Sequence, residues 1–339
     1  MKKIWFDITN TPQVHFLSAI HKALKDKTDF GFIFTARDFS ETVKLLERKI
    51  DLPFHVIGKH HGKRAIKKIG GVLHRFKELS SFAPQFDVSI SCGSETAVWT
   101  SFLQKKLSIA FGDNDQARQW TYGCFVNFAF FPEAIPARIL HRQFITPSKL
   151  YQYPGYKEDI YLADYQPAID FLQSLPFERY VVVRPENIMA NYIRNKNVKS
   201  ITPKLLSLLN AKGFHVLYLP RYEIDRSYAN GLRNIYIPDT PINGLDACFY
   251  SDGVFTGAGT FAREASCLGV PSFSFYAGKE ILSVDKQMIS NGWMYFSREP
   301  EDLVGKMICS NKRSVNLSRC KMVRDEIIDK LIHIIKQNI

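Results

Sequence analysis

The glycine turn at Gly257 and Gly259 carries the clearest chemical signal in the sequence. The β-branched and aromatic residues 254–256 before it predict a strand, and residues 260–268 after it have the spacing of a helix. Glycine lets the main chain come close to a ligand, and the free N–H groups at a helix start attract anions. We therefore predict a phosphate site here, formed by Gly257, Ala258, Gly259 and Thr260.

Four charged side chains accompany this turn. Arg263 is spaced to pair with a phosphate, and Glu264 to accept hydrogen bonds from a ribose diol. Arg184 and Arg221 each follow a predicted strand of the same half of the chain, and they would add positive charge for a diphosphate. A tight strand-to-helix turn that binds no ligand, with arginines at an ordinary surface, is the alternative interpretation.

Polar residues also follow predicted strands in the first half of the chain, at 3–8, 88–92 and 108–111. Ligands of parallel α/β sheets bind beyond the carboxyl ends of the strands, so we expect these loops to share a crevice. The residues predicted to bind a substrate there are Asn10, Thr11, Gly93, Ser94 and Asn114. His15 and Asp113 are candidate bases for taking a proton from a hydroxyl group. A partly buried packing role for His15 and a helix cap for Asp113 are the alternatives.

The segment from Lys59 to Lys77 has ten basic or histidine residues and no acidic one. Its apolar residues recur at helical spacing, which predicts a basic amphipathic helix containing the pair Gly70 and Gly71. Such a helix could lie on an anionic membrane surface or bind an acceptor that carries phosphate. A solvated cationic face on an ordinary covering helix is the alternative.

Length and composition limit the number of domains and the kind of partner. A chain of 339 residues exceeds one hydrophobic core, and we expect domains at 1–165 and 166–339, with a closing helix at 319–339. The net charge of +12 favours an anionic partner: a nucleotide, a nucleic acid or an acidic membrane. The N-terminus does not have the pattern of a signal peptide, which predicts a cytoplasmic protein. The six cysteines form no C-x-x-C pair, and no metal site is predicted.

Strands and helices alternate in both halves, which predicts parallel sheets covered on both faces. The last strands of the first half are predicted at 128–131 and 143–145. The segment 151–158, rich in tyrosine, proline and glycine, is predicted to be an irregular connection between the domains.

Four motifs resemble an archaeal and bacterial family of unknown function. They are Asp7-Ile-Thr-Asn-Thr-Pro12, Thr35-Ala-Arg-Asp-Phe-Ser40, Gly155-Tyr-Lys-Glu158 and Gly257-Ala-Gly-Thr-Phe-Ala-Arg-Glu-Ala265. More broadly, the last motif and the two-domain layout resemble the GT-B glycosyltransferase superfamily. By pattern the nearest members are the peptidoglycan UDP-N-acetylglucosamine transferase and the non-hydrolysing UDP-N-acetylglucosamine 2-epimerases. The resemblance implies an α/β fold of GT-B type, with two Rossmann-like domains whose parallel sheets face a central cleft.

The resemblance also implies roles for particular residues. The glycine turn before Thr260 corresponds to the element that holds the nucleotide diphosphate, and Glu264 to the glutamate that binds the ribose. His15 corresponds in spacing to the histidine of the transferase's first helix, although that enzyme's glycine-rich first loop is replaced here by residues 9–12. Gly93, Asp113 and Asn114 lie where its acceptor loops lie, and residues 184–187 resemble a stretch of the epimerases.

The function implied is transfer of a sugar from a nucleotide-sugar donor, UDP-linked, with no metal and no cofactor. The acceptor is unknown, and a lipid-linked acceptor would agree with contact between residues 59–77 and the inner face of the membrane. A 2-epimerase is the first alternative. A dinucleotide-dependent oxidoreductase is the second, because residues 257–262 satisfy Gly-x-Gly-x-x-Ala with Glu280 about 20 residues on. A basic binding module is the third, although no nucleic-acid partner is expected because the usual basic-aromatic signature is missing.

Overall fold

Strands and helices alternate along the chain, and the strand pairs of both sheets are parallel. The computed structural model describes residues 1–39, 41–59, 65–82, 85–188 and 198–339, and for residues 65–68 it describes the backbone alone. These residues form two units, Met1–Asp164 with Ser318–Ile339, and Tyr165–Leu317. In the described ranges, no helix has an apolar stretch long enough to cross a bilayer.

The first unit is built on a sheet of seven strands. Its elements are β1 (Lys3–Ile8), α1 (Thr11–Lys27), β2 (Gly31–Asp38), α2 (Thr42–Lys49), β3 (Phe54–Lys59), α3 (Ala65–Phe82), β4 (Val88–Cys92), α4 (Glu95–Leu103), β5 (Leu107–Phe111), β6 (Phe128–Pro132), α5 (Ala137–His141), β7 (Leu150–Tyr153) and α6 (Lys157–Leu162). The strand order is β3-β2-β1-β4-β5-β6-β7, so the direction of strand addition reverses between β1 and β4. This order is that of a Rossmann sheet with one more strand.

Side chains that alternate along the strands divide the first unit into two apolar layers. Phe6 belongs to a large core that also holds Phe16 of α1 and residues of the last helix. Trp5 points to the other face, where it packs with Leu79 of α3 and with Ala97 of α4. A buried strand of this kind has apolar residues on both faces, which explains the nearly continuous apolar sequence of β1.

The second unit is built on a sheet of six strands. Its elements are β8 (Val181–Arg184), α7 (Thr202–Ala211), β9 (Val216–Tyr218), α8 (Glu223–Arg226), β10 (Ile235–Tyr236), α9 (Gly244–Tyr250), β11 (Gly253–Thr256), α10 (Gly259–Cys267), β12 (Ser272–Ser274), α11 (Ser283–Ser290), β13 (Met294–Phe296) and α12 (Pro300–Ile308). The order β10-β9-β8-β11-β12-β13 is again that of a Rossmann sheet, and it reverses between β8 and β11.

The last helix, α13 (Leu317–Asn338), belongs to the first unit, whereas the sequence pattern predicts that residues 319–339 belong to the second domain. Its apolar stripe explains this position, because Val323, Ile327 and Leu331 are buried in the core that contains β1 and α1. The sequence shows such a stripe, but it does not show which surface the stripe will cover.

Most predicted strands are confirmed, β1 and β4 with the predicted bounds. The strand predicted at 143–145 is wrong, because Phe144 has a φ of 66° and lies in the turn after α5. The last strand of the sheet is β7, in the segment predicted to be an irregular connection, where Tyr151 pairs with Phe130 of β6. Ser40, the last residue of the motif that begins at Thr35, lies outside the described residues.

Candidate functional site

In the second unit, Arg184 and the glycine turn lie side by side where the strand order reverses. Arg184 ends β8, and it pairs in register with Thr256 at the end of β11. The Gly257 N–H donates to the carbonyl oxygen of Arg184 over 3.1 Å. Loops at such a reversal point are the usual place for a ligand of an open α/β sheet. The structure therefore brings together the strand end and the turn that the sequence singled out.

The glycine at 257 is required by packing. A Cβ atom at that position would lie 2.5 Å from Cγ and 2.6 Å from Cα of Glu186, and no side chain can occupy that space. Gly259 is different, because the nearest atom to its Cβ would be Nη1 of Arg263 at 3.2 Å. The turn thus passes so close to the loop after β8 that only glycine fits at its first position.

Helix α10 begins directly after this turn. Ala258 is its N-cap residue, and no side chain caps the helix there. The N–H groups of a first helical turn have no partner inside the helix, and the helix dipole adds partial positive charge to them. This helix start therefore adds donors beside the end of β8.

The guanidinium group of Arg184 is half-buried beside this helix start. It stacks over the ring of Phe261, with 5.5 Å between its carbon atom and the ring centroid. Within the described residues, it makes no hydrogen bond and no ion pair. Burial and, to a smaller extent, the nearby charge of Arg221 lower the pKa of Arg184 to about 10, and Glu264 acts in the opposite direction. A desolvated cation whose charge is only partly matched is a binding group for an anion.

Arg221 is held next to Arg184. Its Nε donates to the carbonyl oxygen of Pro185 over 2.9 Å, and its backbone N–H donates to Asp225 over 3.0 Å. Glu264 is half-buried on α10 and interacts electrostatically with Arg184. Two arginines and one carboxylate thus surround the carboxyl end of β8.

Arg263 has a different environment from the one expected. It is buried, and its Nη1 donates to Asp285 of α11 over 3.1 Å, with both side chains nearly inaccessible to solvent. Its other terminal nitrogen lies 3.4 Å from the hydroxyl of Thr260. This ion pair joins α10 to α11, so Arg263 positions the helix start.

In the first unit, hydrogen bonds join the loops after β1 and β4, where that sheet reverses. The side chain of Gln13 accepts from the Thr9 N–H over 2.7 Å and donates to the Cys92 carbonyl over 2.6 Å. Gly93 has a φ of +67°, and no atom of the described residues lies within 4 Å of the Cβ that another residue would have there. Ser94 caps α4 by accepting from the Ala97 N–H. The predicted residues Asn10, Thr11, Gly93 and Ser94 therefore lie at two neighbouring strand ends.

A buried ion pair lies beside these strand ends. Asp7 accepts from both terminal nitrogens of Arg75, over 3.0 and 2.6 Å, and from the hydroxyls of Thr35 and Ser94. Burial alone raises the pKa of the Asp7 carboxyl, but Arg75 and the two hydroxyl donors lower it more, so it stays below its usual value. Arg75 is one of the ten basic or histidine residues of the segment 59–77, but α3 turns this side chain into the core.

The two candidate bases differ in their surroundings. Asp113 follows β5, and it forms an ion pair with the buried Lys157, whose Nζ lies 2.5 Å from its Oδ2. This contact stabilises the ionised carboxylate. His15 is half-buried in the second turn of α1, with its ring centroid 6.1 Å from that of Tyr161. Burial, together with the charge of Lys49, lowers the pKa of His15 to about 4, so its imidazole is neutral at pH 7.

The loop after β5 also contains Asn114. Its side-chain oxygen accepts from the Gln116 N–H over 2.8 Å, and its carbonyl oxygen accepts from the Gln119 side chain. Asn114 therefore shapes the turn that carries Asp113. No three acidic, histidine or cysteine side chains in the described part of the chain are grouped closely enough to hold a metal ion.

Helix α3 confirms the helix predicted in the basic segment from Ala65 onwards, whereas Lys59 is the last residue of β3. Ile69 and Leu73 are 64% and 56% exposed, and Lys59 and Lys77 are exposed as well. Arg75 is buried, as described above. His60, His61, Lys63 and Arg64 lie outside the described residues, and so do the side chains of Lys67 and Lys68.

Comparisons with known proteins agree with this architecture. A family model described as protein of unknown function DUF354 matches residues 2–338. An uncharacterised protein of Methanocaldococcus jannaschii is 24% identical over 332 residues, which cover 89% of each chain.

The similar solved structures include two UDP-GlcNAc 2-epimerases. The enzyme from M. jannaschii has a TM-score of 0.69 and 15% identity, with 98% of this chain and 99% of that chain covered. The enzyme from Neisseria meningitidis, bound to UDP-GlcNAc, has a TM-score of 0.72 and 12% identity, with coverage of 97% and 100%. MurG from Acinetobacter baumannii has a TM-score of 0.58 and 10% identity, with coverage of 97% and 99%. The chain therefore belongs to the DUF354 family, and it has the GT-B fold.

Proposed function

We propose that the second unit binds the diphosphate of a UDP-linked sugar and that the enzyme transfers the sugar to the hydroxyl group of an acceptor. The observation that carries this proposal is the half-buried guanidinium of Arg184, which makes no hydrogen bond to the described residues and lies at the strand reversal beside the start of α10. A nucleoside diphosphate supplies the negative charge that this group lacks. Glu264 would accept hydrogen bonds from the ribose.

In the proposed reaction, negative charge develops on the diphosphate that leaves the sugar. When the bond between the anomeric carbon and the diphosphate breaks, the electron pair stays on the leaving phosphate oxygen. Arg184, Arg221 and the N–H groups at the start of α10 would stabilise that charge, so the proposed reaction uses no metal ion. Arg263 acts indirectly, through its ion pair with Asp285.

The acceptor is proposed to bind to the first unit, with Asn10, Thr11, Gly93 and Ser94 around it. His15 is the candidate base favoured here, because its neutral imidazole can accept the acceptor's proton at pH 7. Asp113 is the second candidate, although its ion pair with Lys157 engages one of its oxygens. Asn114 holds the loop in which Asp113 lies.

Epimerisation at C2 of the sugar is the second candidate function. It is supported by the TM-scores, which are 0.69 and 0.72 for the two epimerases and 0.58 for MurG. Inversion at C2 must break the C2–H bond, whereas transfer to an acceptor leaves that bond intact.

Incubation with UDP-GlcNAc alone in D₂O separates the two functions. An epimerase would introduce deuterium at C2 and produce a second UDP-sugar without an acceptor. A transferase would leave C2 protonated, and it would release UDP in proportion to added acceptor. Incorporation of deuterium at C2 would therefore contradict the proposed transfer and support epimerisation.

An NAD-dependent oxidoreductase is disfavoured by the position of the glycine turn. The dinucleotide fingerprint follows the first strand of its sheet, whereas this turn follows β11, which occupies the fourth position in the Rossmann order. NAD binding that competes with UDP would contradict this argument.

We also propose that α3 touches an anionic membrane surface from the cytoplasmic side, where a lipid-linked acceptor would be available. The exposed Ile69 and Leu73 and the exposed Lys59 and Lys77 support this contact. Sedimentation with vesicles that contain anionic lipid tests it, and the double variant Ile69→Ser, Leu73→Ser should bind such vesicles more weakly.

A further inference from the structure

Arg37 is a second half-buried arginine, at the carboxyl end of β2 in the first unit. Its Nε donates to the carbonyl oxygen of Thr9 over 3.1 Å, and its guanidinium carbon lies 5.4 Å from the ring centroid of Phe39. These two contacts fix the plane of the guanidinium group. They leave the two terminal nitrogens, the fork that binds carboxylates and phosphates, unused.

The nearby buried carboxylate of Asp7 forms its ion pair with Arg75 and not with Arg37. Both oxygens of Asp7 are occupied by Arg75 and by hydroxyl donors. Among the residues that the structure describes, no carboxylate lies within ion-pair distance of Arg37, and no acceptor other than Thr9 receives a hydrogen bond from it. Burial and the neighbouring Arg75 lower the pKa of Arg37, and the charges of Asp7 and Glu95 offset only part of this effect.

A buried acceptor lies next to Arg37. Asn10 follows Thr9, whose carbonyl holds Arg37, and the Oδ1 atom of Asn10 is buried without a hydrogen-bond donor from the described residues. Buried polar atoms are normally paired, so this oxygen calls for a donor from outside the chain. Gly93 leaves open space at the same strand ends.

We propose that Arg37 binds an anionic group, phosphate or carboxylate, of the second substrate, and that Asn10 accepts a hydrogen bond from a hydroxyl beside that group. This inference rests on the proposed function, because it names the class of acceptor that the first unit binds. A neutral acceptor would leave the Arg37 guanidinium without a counter-ion, whereas an anionic one supplies two charge-assisted hydrogen bonds.

The test uses two small probes that carry an anion and a hydroxyl, glycerol 1-phosphate and glycerate. Each is titrated into the full-length protein, with UDP present to occupy the second unit and again without UDP, and binding is followed by calorimetry. Arg37→Gln should weaken binding about tenfold or more, because it removes a charged fork. Arg37→Lys should recover part of the affinity, because lysine keeps the charge without the fork.

Arg48→Gln is the matched control. Arg48 is exposed in the last turn of α2. Its substitution changes the net charge by the same amount as Arg37→Gln does. We expect it to bind the probes as the wild type does. The probe that binds more tightly tells phosphate from carboxylate. Asn10→Ala should weaken the binding of either probe less than Arg37→Gln does.

Three results would overturn the inference: no binding of either probe to the wild type, equal binding by Arg37→Gln, or an equal loss in Arg48→Gln. Failure of UDP to bind is a separate result, which counts against the nucleotide site, because the titration without UDP still measures the site at Arg37. Thermal unfolding of Arg37→Gln and Arg37→Lys shows whether a loss of binding comes from a loss of the fold.

Discussion

Replacing Arg75 by methionine should destabilise the first unit by about 3–5 kcal/mol, the usual cost of leaving one member of a buried ion pair alone. Arg75 and Asp7 are 5% and 0% exposed. The substitution removes two hydrogen bonds to Asp7, one to the Ile57 carbonyl and one to the Thr96 hydroxyl. Among the described residues, the hydrogen-bond donors left to the Asp7 carboxylate would then be the Thr35 and Ser94 hydroxyls.

The chain offers a control within the same unit. Lys27 forms an ion pair with Asp329 over 2.8 Å, but these side chains are 39% and 68% exposed. An exposed pair of this kind contributes up to about 1 kcal/mol, so Lys27→Met should change the free energy of unfolding only slightly. The double variant Asp7→Asn, Arg75→Met should be less destabilised than the sum of its single variants, because it removes both charges together.

Urea unfolding followed by tryptophan fluorescence measures these differences. Trp5 is a local reporter, because its indole N–H donates to the Thr35 hydroxyl, which donates in turn to Asp7. If Arg75→Met lowers the free energy of unfolding no more than Lys27→Met does, the buried ion pair does not stabilise the first unit.

The stability of the first unit should depend on pH through the Asp7 carboxyl. The folded-state pKa of Asp7 is lower than its usual value, so its stabilising effect is complete above the unfolded value, about pH 3.9, and is lost as the pH falls through the folded value. Without Arg75, burial would raise the pKa of Asp7 instead, and protonation would relieve the unpaired charge. The stability difference between wild type and Arg75→Met should therefore shrink in acid, and a difference that grows in acid would contradict this account.

Three further predictions concern the sites. Gly257→Ala should destabilise the second unit by about 1–3 kcal/mol in urea unfolding, because its Cβ would overlap Glu186, whereas Gly259→Ala should cost less. Arg263→Met should lower the free energy of unfolding by about 3–5 kcal/mol in the same measurement, because it removes one member of a buried ion pair. His15→Gln should lower the turnover rate about 100-fold with UDP affinity nearly unchanged, and His15 should cause no change in the wild-type rate between about pH 6 and 8, since its pKa is about 4. Unchanged turnover in His15→Gln would remove this residue from the mechanism.

The features that the sequence predicted correctly are local ones. The glycine turn, the strand before it and the helix after it lie within 15 residues, and their residue types are sufficient to predict them. The position of Arg184 at a strand end was predicted because a strand followed by an arginine can be recognised in a single segment. Parallel alternation then predicted that Arg184 and Gly257 would lie at the same edge of the sheet.

The features that the sequence did not predict depend on contacts between distant segments. Arg75 looks like one more cation of a basic helix, and only its pairing with Asp7, 68 residues away, turns it inward. Arg263 is buried by a residue on another helix, Asp285. Helix α13 has an apolar stripe that would suit either unit. The chemistry of Arg37 likewise depends on Asp7 being already occupied by Arg75.

Calorimetric titration of UDP into wild type, Arg184→Gln and Arg233→Gln tests the central claim most directly. Arg233 is exposed just before the amino end of β10, whereas Arg184 lies at the carboxyl end of β8. Its substitution removes one positive charge, as Arg184→Gln does. We predict that Arg184→Gln weakens UDP binding about 10- to 100-fold, the loss expected for charge-assisted hydrogen bonds, and that Arg233→Gln binds UDP as the wild type does. Equal affinity in all three proteins, or no binding of UDP to the wild type, would contradict a nucleotide diphosphate site at the end of β8.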